Sequence, residues 1–283
     1  MSGEIDSPWV RLELTSRPES ARIVRSMASA AGDALAFDPE LLADVNTAVT
    51  EACNNVILHA YRDGPGPMCV ELGVGQAGIE VRVRDHGRGI RRSVPEHDGL
   101  KVGLALMSAL ADRAEFINAP DGGTEVRLGF RSPMLSRRTP WPGVLEDSDG
   151  SSFRAQLHSG LNGDVVLTVS PVALLGPLLG RIGRALAPSA GFSLQRCADV
   201  YVLSDVLGAH VERAAQSSSI SVALGAHDQR LEFELTPLRA GTSARPQGAD
   251  TLAQLSEEIT FTALDGHETL RVSMRDHLRA GPA

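Results

Sequence analysis

The chain has 283 residues, 42% of them hydrophobic, which is apolar material for about two ordinary cores. A net charge of −8 argues against nucleic acid as the main partner, and 4% aromatic residues leave little to stack on single strands. Cys53, Cys69 and Cys197 have no metal-type spacing and read as reduced thiols in a cytoplasmic setting. The apolar run 165–180 contains Pro171 and Pro177 and is too short to span a bilayer, while residues 1–8 are too polar and acidic for a signal peptide.

In chain order, the first informative segment is a helix. Asp38 is a good N-cap, and Pro39 suits the first helical position, where its missing N–H would be unpaired anyway. Leu42, Val45, Val49, Ala52 and Val56 then recur on one stripe that reads as a core face. Thr47, Glu51, Asn54, Asn55 and Leu58 fall on the other side, so that face carries amides around a single acid instead of the usual mixed charges. Glu51 and Asn55 are one turn apart and can act on the same ligand. An amide oxygen is a hard ligand suited to Mg²⁺, and a neighbouring carboxylate can orient or deprotonate a hydroxyl nucleophile. Taken alone, the segment is equally readable as a polar face with solvated or capping amides.

Next, Ile79-Glu80-Val81-Arg82-Val83 alternates like a half-buried strand and runs into Asp85-His86-Gly87-Arg88-Gly89. Glycines there permit positive φ and close approach of a ligand, and an aspartate at the strand end can accept from an exocyclic amine such as that of adenine. A lone Asp-x-Gly-x-Gly is more often a plain turn. It is neither a P-loop nor a dinucleotide fingerprint, since neither Gly-Lys-Ser/Thr nor Gly-x-Gly-x-x-Gly occurs there. The segment from Gly99 to Met107 is expected to be a glycine-containing loop feeding a helix whose free N–H groups favour phosphate. Arg88, Arg91, Arg92 and Lys101 surround it and could close over a polyphosphate, or simply be solvated. Gly123-Thr124 then makes a turn into a last alternating strand, Glu125-Val126-Arg127-Leu128.

The ordered set is more specific than any of its parts. The run Glu51-Ala52-Cys53-Asn54-Asn55-Val56-Ile57-Leu58-His59-Ala60-Tyr61 is followed by Asp85-x-Gly87-x-Gly89, by Gly103-Leu104-x-Leu106-Met107 and by Gly123-Thr124. Over residues 9–130 it resembles the GHKL (Bergerat-fold) ATPases, and among them the anti-sigma-factor serine/threonine kinases of the RsbW and SpoIIAB type. That resemblance implies an α+β two-layer sandwich, with helices on one face of a mixed, mostly antiparallel sheet. It implies ATP and Mg²⁺ as cofactors, Glu51 as catalytic base and Asn55 as metal ligand. Asp85 would hold the adenine amine with Thr124 assisting, and Asn54, Gly87, Gly89, Gly99, Gly103 and Leu104 would complete the nucleotide pocket. The implied partners are a sigma factor and an anti-sigma antagonist protein, with no nucleic acid and no membrane. Two departures stand out: Lys101-x-Gly103-Leu104 replaces the usual Gly-x-Gly-Leu, with the earlier glycine displaced to Gly99, and Arg84 precedes Asp85 where an apolar residue is usual. Binding without turnover, or a scaffold with a vestigial pocket, are the alternative readings.

Residues 131–152 have linker composition, with Trp141 among prolines and charges. Beyond them, residues 153–275 read as a degenerate second copy of the first domain. Val165-Val166-Leu167-Thr168-Val169-Ser170 parallels the opening strand at Leu12-Glu13-Leu14-Thr15-Ser16, and Phe192-Ser193-Leu194-Gln195 parallels Phe37-Asp38-Pro39-Glu40. Leu231-Glu232-Phe233-Glu234-Leu235 parallels Ile79-Glu80-Val81-Arg82-Val83, and Thr269-Leu270-Arg271-Val272 parallels Glu125-Val126-Arg127-Leu128. In that alignment Val206 (or Asp205, with a one-residue slip) stands for Glu51, Ala209 and His210 for Asn54 and Asn55, and Pro237 for Asp85, so the copy could not hold Mg-ATP. Two such halves could form a pseudo-dimer within the chain, or the chain a homodimer. An unrelated α/β domain with similar alternation is the other reading.

Overall fold

A computed structural model describes residues 8–75, 78–89, 98–120, 122–132, 161, 163–242, 246–264 and 266–276. The chain divides into two units, Met1–Phe153 and Arg154–Ala283. Most of the expected linker, Trp141 included, lies outside the described residues, as do Arg91 and Arg92. Arg131 is not part of a linker but closes a strand.

The first unit opens with strand β1 (Trp9–Thr15) and helices α1 (Ser20–Ala34) and α2 (Pro39–Asn55), the latter continued by a π-helical turn at Val56–Ala60. Strands β2 (Pro67–Gly75) and β3 (Gly78–Asp85) follow, then helix α3 (Asp98–Leu110) and strands β4 (Arg113–Asn118) and β5 (Thr124–Arg131). The strand order is β4-β5-β3-β2-β1, and each neighbouring pair is antiparallel. Within this unit β5 inserts between β4 and β3, so β4, which runs in the same direction as β3, is not its hydrogen-bonded neighbour and the pairs here are antiparallel.

Alternation decides the two faces of this sheet. Val10, Leu12, Val70, Leu72, Val81, Val83, Val126 and Leu128 are buried on one face, together with Val45, Val49 and Ala52 of α2 and Met27 of α1. The opposite face is a lattice of ion pairs. Arg11 bonds to Glu13 and, at 3.0 Å, to Glu71; Arg82 bonds to Glu80 at 2.8 Å, and Arg127 to Glu125. Arg84 falls on this charged face by alternation, so its place before Asp85 does not intrude on the helix-side pocket.

The second unit comprises β6 (Val165–Ser170), α4 (Leu175–Leu186), α5 (Leu194–Ala214), β7 (Ile220–His227), β8 (Arg230–Arg239), α6 (Ala249–Leu255), β9 (Glu258–Leu264) and β10 (His267–Arg275). Its order is β6-β7-β8-β10-β9, again with antiparallel neighbours. Counted from each unit's first strand, this is the first unit's order, and both units run strand-helix-helix-strand-strand-helix-strand-strand. Phe233, Leu235, Leu203, Leu207 and Leu178 lie in its core. No helix of the described residues is long and apolar enough to cross a membrane.

Candidate functional site

Helix α2 sets the site. Asp38 caps it by accepting a 3.0 Å hydrogen bond from the Glu40 N–H, which fixes the phase of everything that follows. With Val45, Ala48, Val49, Ala52 and Cys53 in the core, Glu51, Asn54 and Asn55 are left half-buried on the flank. Cys53 lies wholly inside, and burial pushes its thiol up to about 12; all three cysteines are free.

Glu51 faces α3. A β-carbon added at Gly103 would lie 2.3 Å from Glu51 Oε1, so glycine is what lets the third helix approach the carboxylate. The helix expected between Gly99 and Met107 is present, but it starts earlier than the loop expected to feed it. The helix begins at Asp98, which places Gly99, Gly103 and Leu104 inside it, with Gly103 and Met107 buried on one side. Packing against α2 outweighs the low helix propensity of two glycines.

The Nδ2 atom of Asn55 is buried and has no hydrogen-bond partner among the described residues. Rotating the carboxamide brings its oxygen to the same place. A buried amide end without a partner is what a neutral, hard metal ligand requires, so Asn55 fits Mg²⁺. Among the described residues no group of three or more His, Cys, Asp and Glu could hold a metal alone, so an ion here would take its remaining ligands from water and phosphate.

After Asn55 the backbone widens into the π-helical turn, and this turn receives the Asp85–Gly89 segment. The Ala60 carbonyl accepts from the Arg88 N–H at 3.1 Å, and the His59 carbonyl accepts from Arg88 Nε at 2.8 Å. A β-carbon at Gly87 would lie 2.3 Å from the Ala60 oxygen. Gly87 is therefore needed for a close approach of protein to protein, whereas Gly89, with φ +71°, is needed for its backbone conformation beside Asn118. Tyr61, the next residue, accepts from the His86 N–H at 2.8 Å and donates to the Pro67 carbonyl at 2.6 Å.

Asp85 is 2% exposed at the end of β3. Its Oδ1 accepts from the Gly87 N–H at 2.7 Å, and the N–H and hydroxyl of Thr124 bond to the carboxylate as well. Burial nonetheless outweighs these donors and raises the carboxyl above its ordinary range. A carboxylate offers about four acceptor positions, so three protein donors leave one for an amine. Thr124 is brought to it by the pairing of β3 with β5, and Gly123, with φ +87°, passes so close to the Asp85 carbonyl that a β-carbon there would be 2.0 Å away. Thus Glu51 meets Gly103, Ala60 meets Gly87, Asp85 meets Thr124, and Gly89 meets Gly123, all at one end of this unit. Tyr61, Asn118 and the carbonyls of the π-helical turn carry parts of the site that spacing does not reveal; of these, Tyr61 alone could have been noticed, as it ends the amide-rich helical run.

The profile of the family described as histidine kinase-like ATPase domain matches residues 14–130. A serine-protein kinase RsbW of Bacillus licheniformis is 30% identical over 119 residues, covering 37% of this chain and 74% of that protein. An anti-sigma F factor of Clostridium perfringens is 30% identical over 128 residues, covering 41% of this chain and 91% of that protein. Among solved structures, the RsbU and RsbW domains of a Mycobacterium tuberculosis protein match at 25% identity and a TM-score of 0.35, over 47% of this chain and 34% of that one.

Proposed function

The chain belongs to the GHKL family of anti-sigma-factor kinases, and from that membership and the geometry of its first unit we propose an ATP-dependent serine/threonine kinase that also binds a sigma factor. Its phosphoryl acceptor would be a serine or threonine hydroxyl on an anti-sigma antagonist protein. The observation that supports this best is the pairing of Glu51 with Asn55 on one flank of α2, with Gly103 of α3 against the carboxylate and the Asn55 amide end left without a partner.

In this reading Asp85, held by Gly87 and Thr124, accepts a hydrogen bond from the adenine amine and so distinguishes ATP from GTP. Asn55 would hold Mg²⁺, which neutralises phosphate charge when bound. Glu51 takes the proton of the incoming hydroxyl as its oxygen bonds to the γ-phosphorus and ADP departs. The glycine-bearing helix α3 keeps that carboxylate beside the reacting groups and excludes bulk from its own face.

Replacement of Glu51 by Ala separates binding from chemistry. ATP affinity should stay within about threefold, while transfer to the antagonist falls on the order of 10²–10⁴-fold, the usual worth of a positioned base. Transfer that persists in Glu51→Ala would remove Glu51 from the role; absence of Mg-dependent ATP binding in the unaltered protein would remove the function itself.

A further inference from the structure

We propose that the second unit is a copy of the first in which the residues at nucleotide-holding positions grip the chain's own backbone, leaving one nucleotide site per chain. The inference uses the site reading above to choose which residues to compare.

The correspondence can be tested residue by residue. In the first unit, Gly103 of α3 abuts Glu51 of α2, and Asn55 lies four residues beyond Glu51. In the second, a β-carbon at Gly248, which caps α6, would lie 2.7 Å from Val206 of α5, and His210 lies four residues beyond Val206. The buried anchors repeat as well: Met107 is four residues after Gly103, and Leu252 four after Gly248, each wholly buried. The helices α2 and α5 start alike, with Asp38 accepting from the Glu40 N–H and Ser193 from the Arg196 N–H at 3.3 Å. In the sheet, Val83 pairs with Val126 and Leu235 with Leu270. Two residues further along each strand, Asp85 and Thr124 are matched by Pro237 and Glu268, although a register shift in the second unit sets Glu268 opposite Leu238.

The chemistry at these positions is inverted. Val206 offers no base, and Pro237 has no side-chain acceptor for an amine. Glu268, 5% exposed, accepts from the Gly241 N–H. His210, 3% exposed, accepts a long 3.4 Å hydrogen bond from the Gln247 N–H through Nδ1. Both substituted side chains thus bond to backbone between β8 and α6, His210 through Nδ1 while its buried Nε2 has no partner among the described residues; the first unit's counterparts are Thr124 at the Asp85 carboxylate and Asn55 with an unpartnered Nδ2.

The test uses the full chain in two arms. Calorimetric titration with ATP and MgCl₂ should give one ATP per chain, and none after Asp85→Ala. Two per chain, or binding that survives Asp85→Ala, would overturn the inference. The second arm is hydrogen exchange on the double variant His210→Asn, Glu268→Thr, which restores the first unit's side chains. Protection of the Gly241 and Gln247 amides should fall at least tenfold while the rest of the unit keeps its protection; unchanged protection would overturn the inference without any nucleotide being involved. Zero ATP in the unaltered chain would overturn the function proposed above, and the exchange arm then decides this inference by itself.

Discussion

Gly103 lies so close to Glu51 that a β-carbon on it would sit 2.3 Å from Oε1 and 3.1 Å from Cδ of the glutamate. The contact is with the far end of a flexible side chain and not with backbone, so the carboxylate can swing aside. Gly103→Ala should therefore fold as well as the parent, since alanine in a helix interior is favoured over glycine by up to about 1 kcal/mol. Phosphoryl transfer should drop on the order of 100-fold or more, because the displaced base no longer meets the hydroxyl. Thermal unfolding measured beside transfer to the antagonist checks both halves. Retained activity would mean that Glu51 need not occupy this rotamer.

Tyr61 joins the π-helical turn to the residue after Asp85 through its hydrogen bond from the His86 N–H. Its ring also lies over Gly66, whose added β-carbon would meet it at 2.3 Å. Tyr61→Phe keeps the ring and removes the acceptor, a loss of about 1 kcal/mol, which corresponds to roughly a fivefold weaker hold on ATP if the loop moves. The informative quantity is the ratio of ATP to inosine triphosphate affinity, since the latter lacks the amine that Asp85 accepts. That ratio should fall in Tyr61→Phe; a uniform weakening of both ligands would assign Tyr61 to general stability instead.

Asp85 carries a pH signature. Burial raises its carboxyl above the usual 3.8, so the folded chain holds this proton more tightly than the unfolded chain does. Its contribution to stability is present below the unfolded value near 3.8 and is lost as pH rises through the raised folded value. ATP binding has the opposite sense, because the amine needs an acceptor free of the proton. Affinity should begin to fall on acidification at a higher pH than an ordinary aspartate would dictate. Fluorescence titrations of ATP from pH 7 downward, compared with Asp85→Asn, should show a slope in the parent that the variant lacks.

The parts of the site that the sequence makes legible are those with local rules. Asp38-Pro39 starts a helix for capping reasons, the Val45–Val49–Ala52 stripe phases it, and β3 alternates straight into Asp85. What escapes are features decided by distant partners. Gly99 and Gly103 suggest by propensity that a loop precedes the helix, yet α3 already includes both because it has α2 to pack on. The π-helical turn at Val56–Ala60 has no sequence signature, since its carbonyls matter only once Gly87 and Arg88 arrive against them. The antiparallel pairing at this edge of the first unit likewise depends on β5 inserting between β4 and β3, which alternation along single strands cannot show.

The second unit offers a packing test that is independent of nucleotide. Helices α4 and α5 cross at Gly176 and Gly208, and the two positions are not equivalent. A β-carbon on Gly208 would lie 2.8 Å from Gly176 Cα and 3.0 Å from its nitrogen, whereas one on Gly176 would come no nearer than 3.8 Å to Gly208. The first contact is with backbone, which cannot rotate away, so the helices must separate. Gly208→Ala should cost about 1–3 kcal/mol of overpacking, partly offset by the helix propensity of alanine. Gly176→Ala meets an ordinary van der Waals distance and should be neutral or slightly stabilising. Denaturant unfolding of the two variants should thus shift midpoints in different directions or by clearly different amounts. Equal losses in both would mean that the helices cross with a symmetric gap and that this close approach is not what holds them.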